Sequence, residues 1–308
     1  KKSGVDILRL WVSITDYTDD MRISDKIISN LNDYYRRIRN TFRYMLGILE
    51  NSDFEAYKNA NISIEIDQFI LARIFQLEEI RKKAIKEFVY HNFYKALFEF
   101  CTIDLSAFYF DISKDTLYCD KIDNPIRLAR LKTIHYIYDT LTFWYSPVLC
   151  HTMEEAWSIF STENLKSVHL RVKKNFHEKW LNNNLINKWN KIKKIRKIIN
   201  SAIEETRNEK IIGSSLETKV NLITSNEKLV KILNSVNMQT ICIVSEFYIN
   251  GENDNDEENA LNSVYNEEEK LKVLVFKSNN NKCNRCWQYR EDVSKDEGLC
   301  TRCKQAII

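Results

Sequence analysis

Two cysteine pairs near the end of the chain carry the strongest chemical signal. Cys283-x-x-Cys286 and Cys300-x-x-Cys303 stand 13 residues apart in CNRCWQYREDVSKDEGLCTRC. Two such turns can bring four thiolates around one Zn²⁺ in a tetrahedron, filling every coordination position and organising a stretch too poor in apolar residues to fold unaided. One structural Zn²⁺ held by Cys283, Cys286, Cys300 and Cys303 is the expectation. A closed four-thiolate shell leaves no place for a reactive water, so metal catalysis is not expected there. Two disulfides or an iron–sulfur centre are the rival readings of the same residues. Arg285, Trp287, Arg290 and Arg302 crowd this small module. An indole beside guanidinium groups can stack on a base and hold its backbone, as a nucleic-acid contact would require. The plainer alternative is that Trp287 covers the metal site or docks the module on the main body.

Other residue patterns offer less chemistry. His91, His135, His151, His169 and His177 form no H-E-x-x-H pair, and each reads as a surface or packing residue. No G-x-S-x-G elbow is present. Neither G-x-G-x-x-G nor G-x-x-x-x-G-K-[ST] occurs among the five glycines, which argues against nucleotide binding by either route. Asp16, Asp19, Asp20 and Arg22 cluster, but they read as fixing a local loop rather than as acid–base groups. Cys101, Cys119, Cys150 and Cys242 lie in largely apolar surroundings and read as reduced, buried small hydrophobes. The chain taken alone shows no active site. Its net charge of +3, from 46 Lys+Arg against 43 Asp+Glu, is too small to diagnose a polyanionic partner. The distribution says more: Lys166 to Lys210 holds 13 Lys/Arg and four Glu, a local +9 that leaves −6 for the remainder. That segment is the best electrostatic footprint for a nucleic acid, with a solvated basic helix face as the alternative.

Something must hold these residues in place, and composition points to long helices. Of 308 residues, 44% are hydrophobic, 29% are charged, and only two are proline. The length suits two domains, or one large body with an appendage. Apolar residues recur at Ile27, Leu31, Tyr35, Ile38, Phe42, Met45 and Leu49, the spacing of one helix face. Between them lie Arg36, Arg37, Arg39 and Arg43, able to meet phosphates from the opposite face or to pair within the protein. A second helix is expected over about Asp67 to Phe88, with Ile70, Ile74, Leu77, Ala84 and Phe88 inward. The aromatic stretch 91–110 reads as a deeply packed helix or helix pair. Asn124-Pro125 permits a new helix start, and Ser146-Pro147 a break. Thr152 and Glu155 have capping-box spacing for the helix carrying Ala156, Trp157 and Phe160. The basic segment contains a long amphipathic helix with Leu181, Leu185, Trp189, Ile192, Ile195, Ile199 and Ile203 inward. Lys188, Lys191, Lys194 and Lys197 can then line its outer face as a positive rail. Beyond Gly213-Ser214-Ser215, Lys219 to Leu222 opens a mixed region in which strands are expected over Thr240 to Ile249 and Leu271 to Lys277. GENDNDEENA and NEEEK read as acidic surface loop, without the ligand spacing or glycine of a calcium hand. The fold class is therefore mainly α: an antiparallel helical bundle, a small α+β connector, and a four-cysteine zinc module.

Several segments in order resemble the part of bacterial isoleucyl-tRNA synthetases that follows their catalytic KMSKS loop. These are SGVDILRLWVSITDYTDDMRIS, YYRRIRNTFRYMLGIL, FCTIDLSAFYFDISKDTLYCD, SPVLCHTMEEAW, IINSAIEETRNEKIIGSSLETKV and the terminal CNRCW…CTRC. GSSLETKV followed by the zinc module points to the isoleucyl member rather than its valyl, leucyl or methionyl relatives. His151 departs from the bulky apolar residue usual at its place. The resemblance implies the end of a link from the catalytic body at 1–20, an anticodon-binding helical bundle at 21–165, a basic helix and mixed connector at 166–278, and a zinc tail at 279–308. It implies recognition of isoleucine-specific tRNA by Arg36, Arg39, Arg43, Arg285 and Trp287; Lys191, Lys194 and Lys197 receive a weaker assignment that rests mainly on their charge pattern. The family's whole enzyme ligates isoleucine to tRNA and hydrolyses mischarged valine, because one methylene supplies only about 1–3 kcal/mol of discrimination. ATP and Mg²⁺ would serve a catalytic part elsewhere in the polypeptide, since neither the catalytic signatures nor the editing domain is matched here. The chain begins Lys1-Lys2 without methionine, in keeping with the back third of a longer, cytoplasmic, monomeric enzyme. It has no signal peptide and no apolar run of 18 residues, so no membrane partner is expected. A free-standing RNA-binding paralogue and a zinc-containing helical scaffold for protein partners are the competing functions.

Overall fold

Helices arise where apolar residues recur every three or four positions, and side chains from near and far close their ends. The computed structural model describes residues 4–172, 180–251, 257–294 and 296–307. They fall into two compact units, Lys1–Ser113 with Asp123–Asn183, and Lys114–Ile122 with Asn184–Ile308. Among the described residues no helix is long and apolar enough to cross a membrane.

The first unit is a helical bundle: α1 (Val5–Ile14), α2 (Asp25–Leu49), α3 (Phe54–Tyr57), α4 (Glu65–Glu87), α5 (Tyr90–Glu99), a π-helical stretch (Phe100–Phe110), the start of α6 (Asp111–Cys119), α7 (Pro125–Tyr145) and α8 (Cys150–Ile159). α2 begins where the Ser24 hydroxyl accepts from the Ile27 N–H, satisfying a donor the first turn leaves open. Its stripe Leu31, Ile38, Phe42, Met45 and Leu49 is buried against α1, α7, α8 and the π-helical stretch. The aromatic segment is core, with Phe93, Phe100, Phe108, Tyr109 and Phe110 all buried. Its wider i→i+5 turn is supported by Ser106 Oγ donating to the Cys101 carbonyl. α4 ends as Phe88 takes a left-handed φ of 60°, which turns its ring outward instead of into the expected inner face.

The helix with Trp157 starts differently from its capping-box spacing. Thr152 lies inside α8 rather than at its cap, and the open donors of the first turn meet Asp6 of α1 instead. Asp6 accepts from the Thr152 N–H at 2.9 Å and the Thr152 hydroxyl at 2.6 Å, and from the His151 N–H at 3.4 Å. A carboxylate there also answers the positive end of the helix dipole.

The second unit comprises the rest of α6, α9 (Asn183–Asn208), β1 (Thr218–Thr224), α10 (Glu227–Asn234), α11 (Met238–Cys242), β2 (Glu246–Ile249), β3 (Asn262–Asn266), β4 (Leu271–Lys277), β5 (Asn281–Lys282), β6 (Tyr289–Arg290) and α12 (Thr301–Ile307). A four-stranded mixed sheet runs β2-β1-β4-β3, with β1 parallel to β2 and antiparallel to β4. Trp189, Ile192, Ile195 and Ile199 of α9 are buried as expected, whereas Leu181 precedes the helix and is exposed. The strand expected over Thr240 to Ile249 begins only at Glu246. Asn237 caps α11 by accepting from the Thr240 N–H, so the apolar Ile241-Cys242 pair packs as helix. The acidic region also hides β3, which extends the sheet by pairing with β4.

Charge inside the bundle is paired. Asp67 is fully buried, with Arg130 Nε 2.9 Å away and the Tyr109 hydroxyl donating at 2.6 Å. Burial pushes its carboxyl up, against the pull of Arg130 and Tyr109. Removing one partner of a buried pair leaves an uncompensated charge, so Arg130→Met should cost about 3–5 kcal/mol in urea unfolding at neutral pH. The orphaned carboxyl would then have a folded pKa far above its unfolded value near 3.9, so stability should return as pH falls toward that value. A loss that is flat with pH would contradict this account.

Candidate zinc centre and nucleic-acid interface

The zinc module is assembled by short backbone devices. β5 and β6 pair in a two-stranded ribbon that brackets the first cysteine turn. Cys283 N–H donates to the Gln288 carbonyl and Trp287 N–H returns to the Cys283 carbonyl, both at 2.9 Å, while Trp287 adopts a φ of 62°. The second turn is entered through Gly298, whose φ of 64° is one that L side chains rarely adopt and where a Cβ would force the Asn284 side chain to move. Asp292 accepts from the Thr301 N–H at 2.9 Å at the start of α12 and pairs with Arg290. Burial opposes that charge, but Arg290 and Thr301 prevail and hold its carboxyl down at about 2.

Four sulfurs converge as a result. All four Sγ atoms of Cys283, Cys286, Cys300 and Cys303 lie within 4.8 Å of one another, and every one of these residues is buried. Zn–S bonds of about 2.3 Å in a tetrahedron set sulfurs about 3.8 Å apart. Cys286 and Cys300 have that separation, 3.8 Å, whereas a disulfide needs about 2.0 Å. All eight cysteines are free thiols, which removes the two-disulfide reading. Burial works against a charged Cys283, but backbone N–H groups of Cys286, Cys300 and Arg285 outweigh it and lower that thiol. Burial pushes Cys286 the opposite way. A cation at the centre resolves the conflict, because each thiolate then faces positive charge. The residues therefore fit one structural Zn²⁺.

The cations expected to meet RNA have varied surroundings. Arg36 pairs with Asp33 on its own helix, both exposed. Arg39 places one guanidinium nitrogen 2.8 and 3.1 Å from the two carboxylate oxygens of Glu155. Arg39 and exposed Arg43 lie one turn apart and, with Glu50, Thr152 and Glu155, line a groove of about 510 Å³ between α2 and α8. On α9, Lys191 pairs with Glu269, and Lys194 with Glu268 and Glu269 of the β3–β4 turn. Those carboxylates, Glu268 foremost, raise the Lys194 ammonium. Glu269 is buried, so this part of the expected acidic surface loop is an anchor. Lys197 is exposed. Arg285 turns inward, donating to the Tyr118 carbonyl at 3.3 Å and to the Cys119 carbonyl. Trp287 is 61% exposed, with Lys282 Nζ 5.9 Å from its ring centroid. Lys282 was not singled out by sequence; its place across the ribbon from Tyr289, beside the cysteine turn, is the signal that marks it. Of the histidines, His91 faces Asp16, His135 bonds the Tyr57 hydroxyl and His169 the Cys150 carbonyl, while His177 lies outside the described residues.

A helical bundle followed by a mixed sheet and a four-cysteine tail defines a class, and comparison with known proteins agrees. Residues 67–222 match the family described as the anticodon-binding domain of tRNA ligase, and residues 280–306 match the zinc finger found in FPG and IleRS. The chain belongs to the anticodon-binding domain family of tRNA ligases. At closer range it is similar to isoleucine–tRNA ligases. It is 37% identical to that of Pelagibacter ubique over 94% of this chain and 30% of the relative. Identity is 38% with that of Bartonella quintana (96% and 30%) and 37% with that of Caldicellulosiruptor bescii (99% and 32%). The chain thus spans about a third of the length of these curated relatives.

Elemental analysis of freshly purified, unchelated protein should find one zinc per chain. Cys283→Ser or Cys300→Ser, or chelation, should expose residues 280–306 to hydrogen exchange before the bundle opens, because the tail's folding energy comes largely from the metal. Metal-free protein with a protected tail would overturn the assignment.

Proposed function

We propose that this chain recognises the anticodon arm of isoleucine-specific tRNA as the C-terminal part of an isoleucyl-tRNA synthetase. The catalytic part of the same polypeptide would ligate isoleucine to that tRNA with ATP and Mg²⁺ in the cytoplasm, a separate editing domain would hydrolyse mischarged product, and the enzyme would act as a monomer. The observation that carries this reading is the order of two matches in one chain, an anticodon-binding region and then a zinc finger whose four sulfurs converge. The proposed division of labour keeps 1–20 as the end of the link, 21–165 as the anticodon bundle, 166–278 as basic helix and connector, and 279–308 as the zinc tail.

Arg36, Arg39 and Arg43 are proposed to contact phosphates. Exposed ion pairs such as those of Arg36 and Arg39 contribute only about 0–1 kcal/mol, so phosphate can replace the carboxylate at little cost. On α9 the proposed contacts are Lys191, Lys194 and Lys197. The first two share their charge with Glu268 and Glu269, which makes Lys197 the strongest of the three. In the tail, Trp287 supplies the stacking face and Arg285 holds the turn that presents it. Phosphate contacts place the arm, and exposed bases are discriminated by stacking and edge hydrogen bonds.

The test compares binding of an isoleucine-specific transcript with the same transcript carrying an altered anticodon, at matched salt. The altered transcript should bind more weakly, and equal affinities would sink anticodon recognition. Trp287→Ala should cost about 1–3 kcal/mol on the cognate transcript, the range for loss of one base-stacking aromatic. Arg43→Gln should instead weaken both transcripts alike and flatten the log–log salt slope by about 0.7–0.9.

A further inference from the structure

The two cysteine turns share a pattern, Cys283-Asn284-Arg285-Cys286 and Cys300-Thr301-Arg302-Cys303. In both, the arginine in third place leaves the module and reaches the same nine residues, Lys114–Ile122. That segment joins the zinc module in one compact unit although 187 positions separate Arg302 from Asp115. Arg302 makes a two-pronged pair with Asp115, its Nη2 at 2.7 Å from Oδ1 and its Nη1 bonded to Oδ2, and it reaches Asp120 at 3.6 Å. Arg285 caps the end of α6 through the carbonyls of Tyr118 and Cys119, and the same Nη1 lies 3.7 Å from Cys303 Sγ. Beneath them Cys119, 8% exposed, packs among the four cysteines and Val293.

Electrostatics connects these contacts. Four thiolates around Zn²⁺ leave a net charge of about −2, which favours cations in the next shell. Arg285 stands in that shell, 3.7 Å from Cys303 Sγ, and meets the carbonyl end of a helix on its far side, while Arg302, directly before Cys303 in the chain, meets the carboxylates of Asp115 and Asp120. Each arginine sits between two ligating cysteines or directly beside one, so its reach depends on the turn being closed. We propose that Arg285 and Arg302 are positioning residues that form a metal-dependent latch, fixing the zinc module on the end of α6 and sealing Cys119 beneath it. The latch also fixes Trp287, one residue beyond Cys286, for the contact proposed above; that consequence rests on the RNA-binding reading.

Cys119 is a built-in reporter. In the zinc-loaded full chain its alkylation rate, read by peptide mass separately from Cys101, Cys150 and Cys242, measures opening of the latch. Arg302→Glu and Asp115→Arg should each raise that rate about tenfold or more with zinc still at one per chain, as expected for local opening. The double exchange should restore protection, and chelation of the wild-type chain should abolish it. Singles that hold zinc and keep Cys119 as protected as the wild type would overturn the latch, as would a double exchange labelled as fast as the singles. Should Arg302→Glu lose zinc, Asp115→Asn decides alone, because it alters neither cysteine turn. Trp287→Ala should weaken tRNA binding and leave Cys119 labelling unchanged. Unchanged tRNA affinity in that variant counts against the RNA reading, whereas the labelling results bear on the latch.

Discussion

Where water is excluded, every charge in this chain must find its complement within the protein. An unpaired ion in such a place costs several kcal/mol, so the pairing dictates which segments meet. Asp6 is buried because the first turn of α8 offers it two N–H donors and the Thr152 hydroxyl. Asp67 ties α4 to α7 through Arg130 and to the π-helical stretch through Tyr109. Arg171, its side chain 1% exposed, is held by Asp139 and Glu163 and lies against the rings of Phe143 and Trp157. In the second unit Glu269 is buried only because Lys191 and Lys194 come down to it. The four-cysteine module extends the same logic to thiolates, which a metal at their centre would neutralise and which Arg285 approaches from outside.

This constraint also separates what could be read along the chain from what could not. Periodic features were legible because their cause is local. The α2 stripe, the helix start at Pro125, the inward face of α9 and the strand Leu271–Lys277 all follow from spacing within one element. The convergence of the four cysteines was legible for a similar reason, since two Cys-x-x-Cys turns suit a tetrahedral site and each turn is only four residues long. Thr152 shows the limit. Its spacing to Glu155 suited a capping box, yet Asp6, 146 positions away, supplies a carboxylate that a local hydroxyl cannot match. Lys191 and Lys194 looked like a free rail because Glu268 and Glu269 belong to a turn of the sheet, and the pairing exists only once β3 and β4 have formed. Short elements were misjudged where an asparagine cap outweighed β-branched composition, as at Asn237 before α11.

Arg285 and Trp287 carry the sharpest version of that lesson. Two positions apart, they look equivalent as nucleic-acid contacts, one cationic and one aromatic. The left-handed backbone at Trp287 turns the chain, so the indole emerges into solvent while the guanidinium points back at the end of α6. A cation already bound to two carbonyls and near a thiolate sulfur would have to surrender those contacts to reach a phosphate. An exposed ring whose one described ring contact is Lys282 Nζ at 5.9 Å surrenders little, and its apolar face gains by being covered. The same comparison orders the remaining cations. Arg36 and Arg39 give up only exposed pairs, whereas Lys191 and Lys194 would leave a buried Glu269 uncompensated. A cation's availability to an incoming phosphate is therefore set by how deeply its present partner is buried, a quantity that net charge along the chain does not contain.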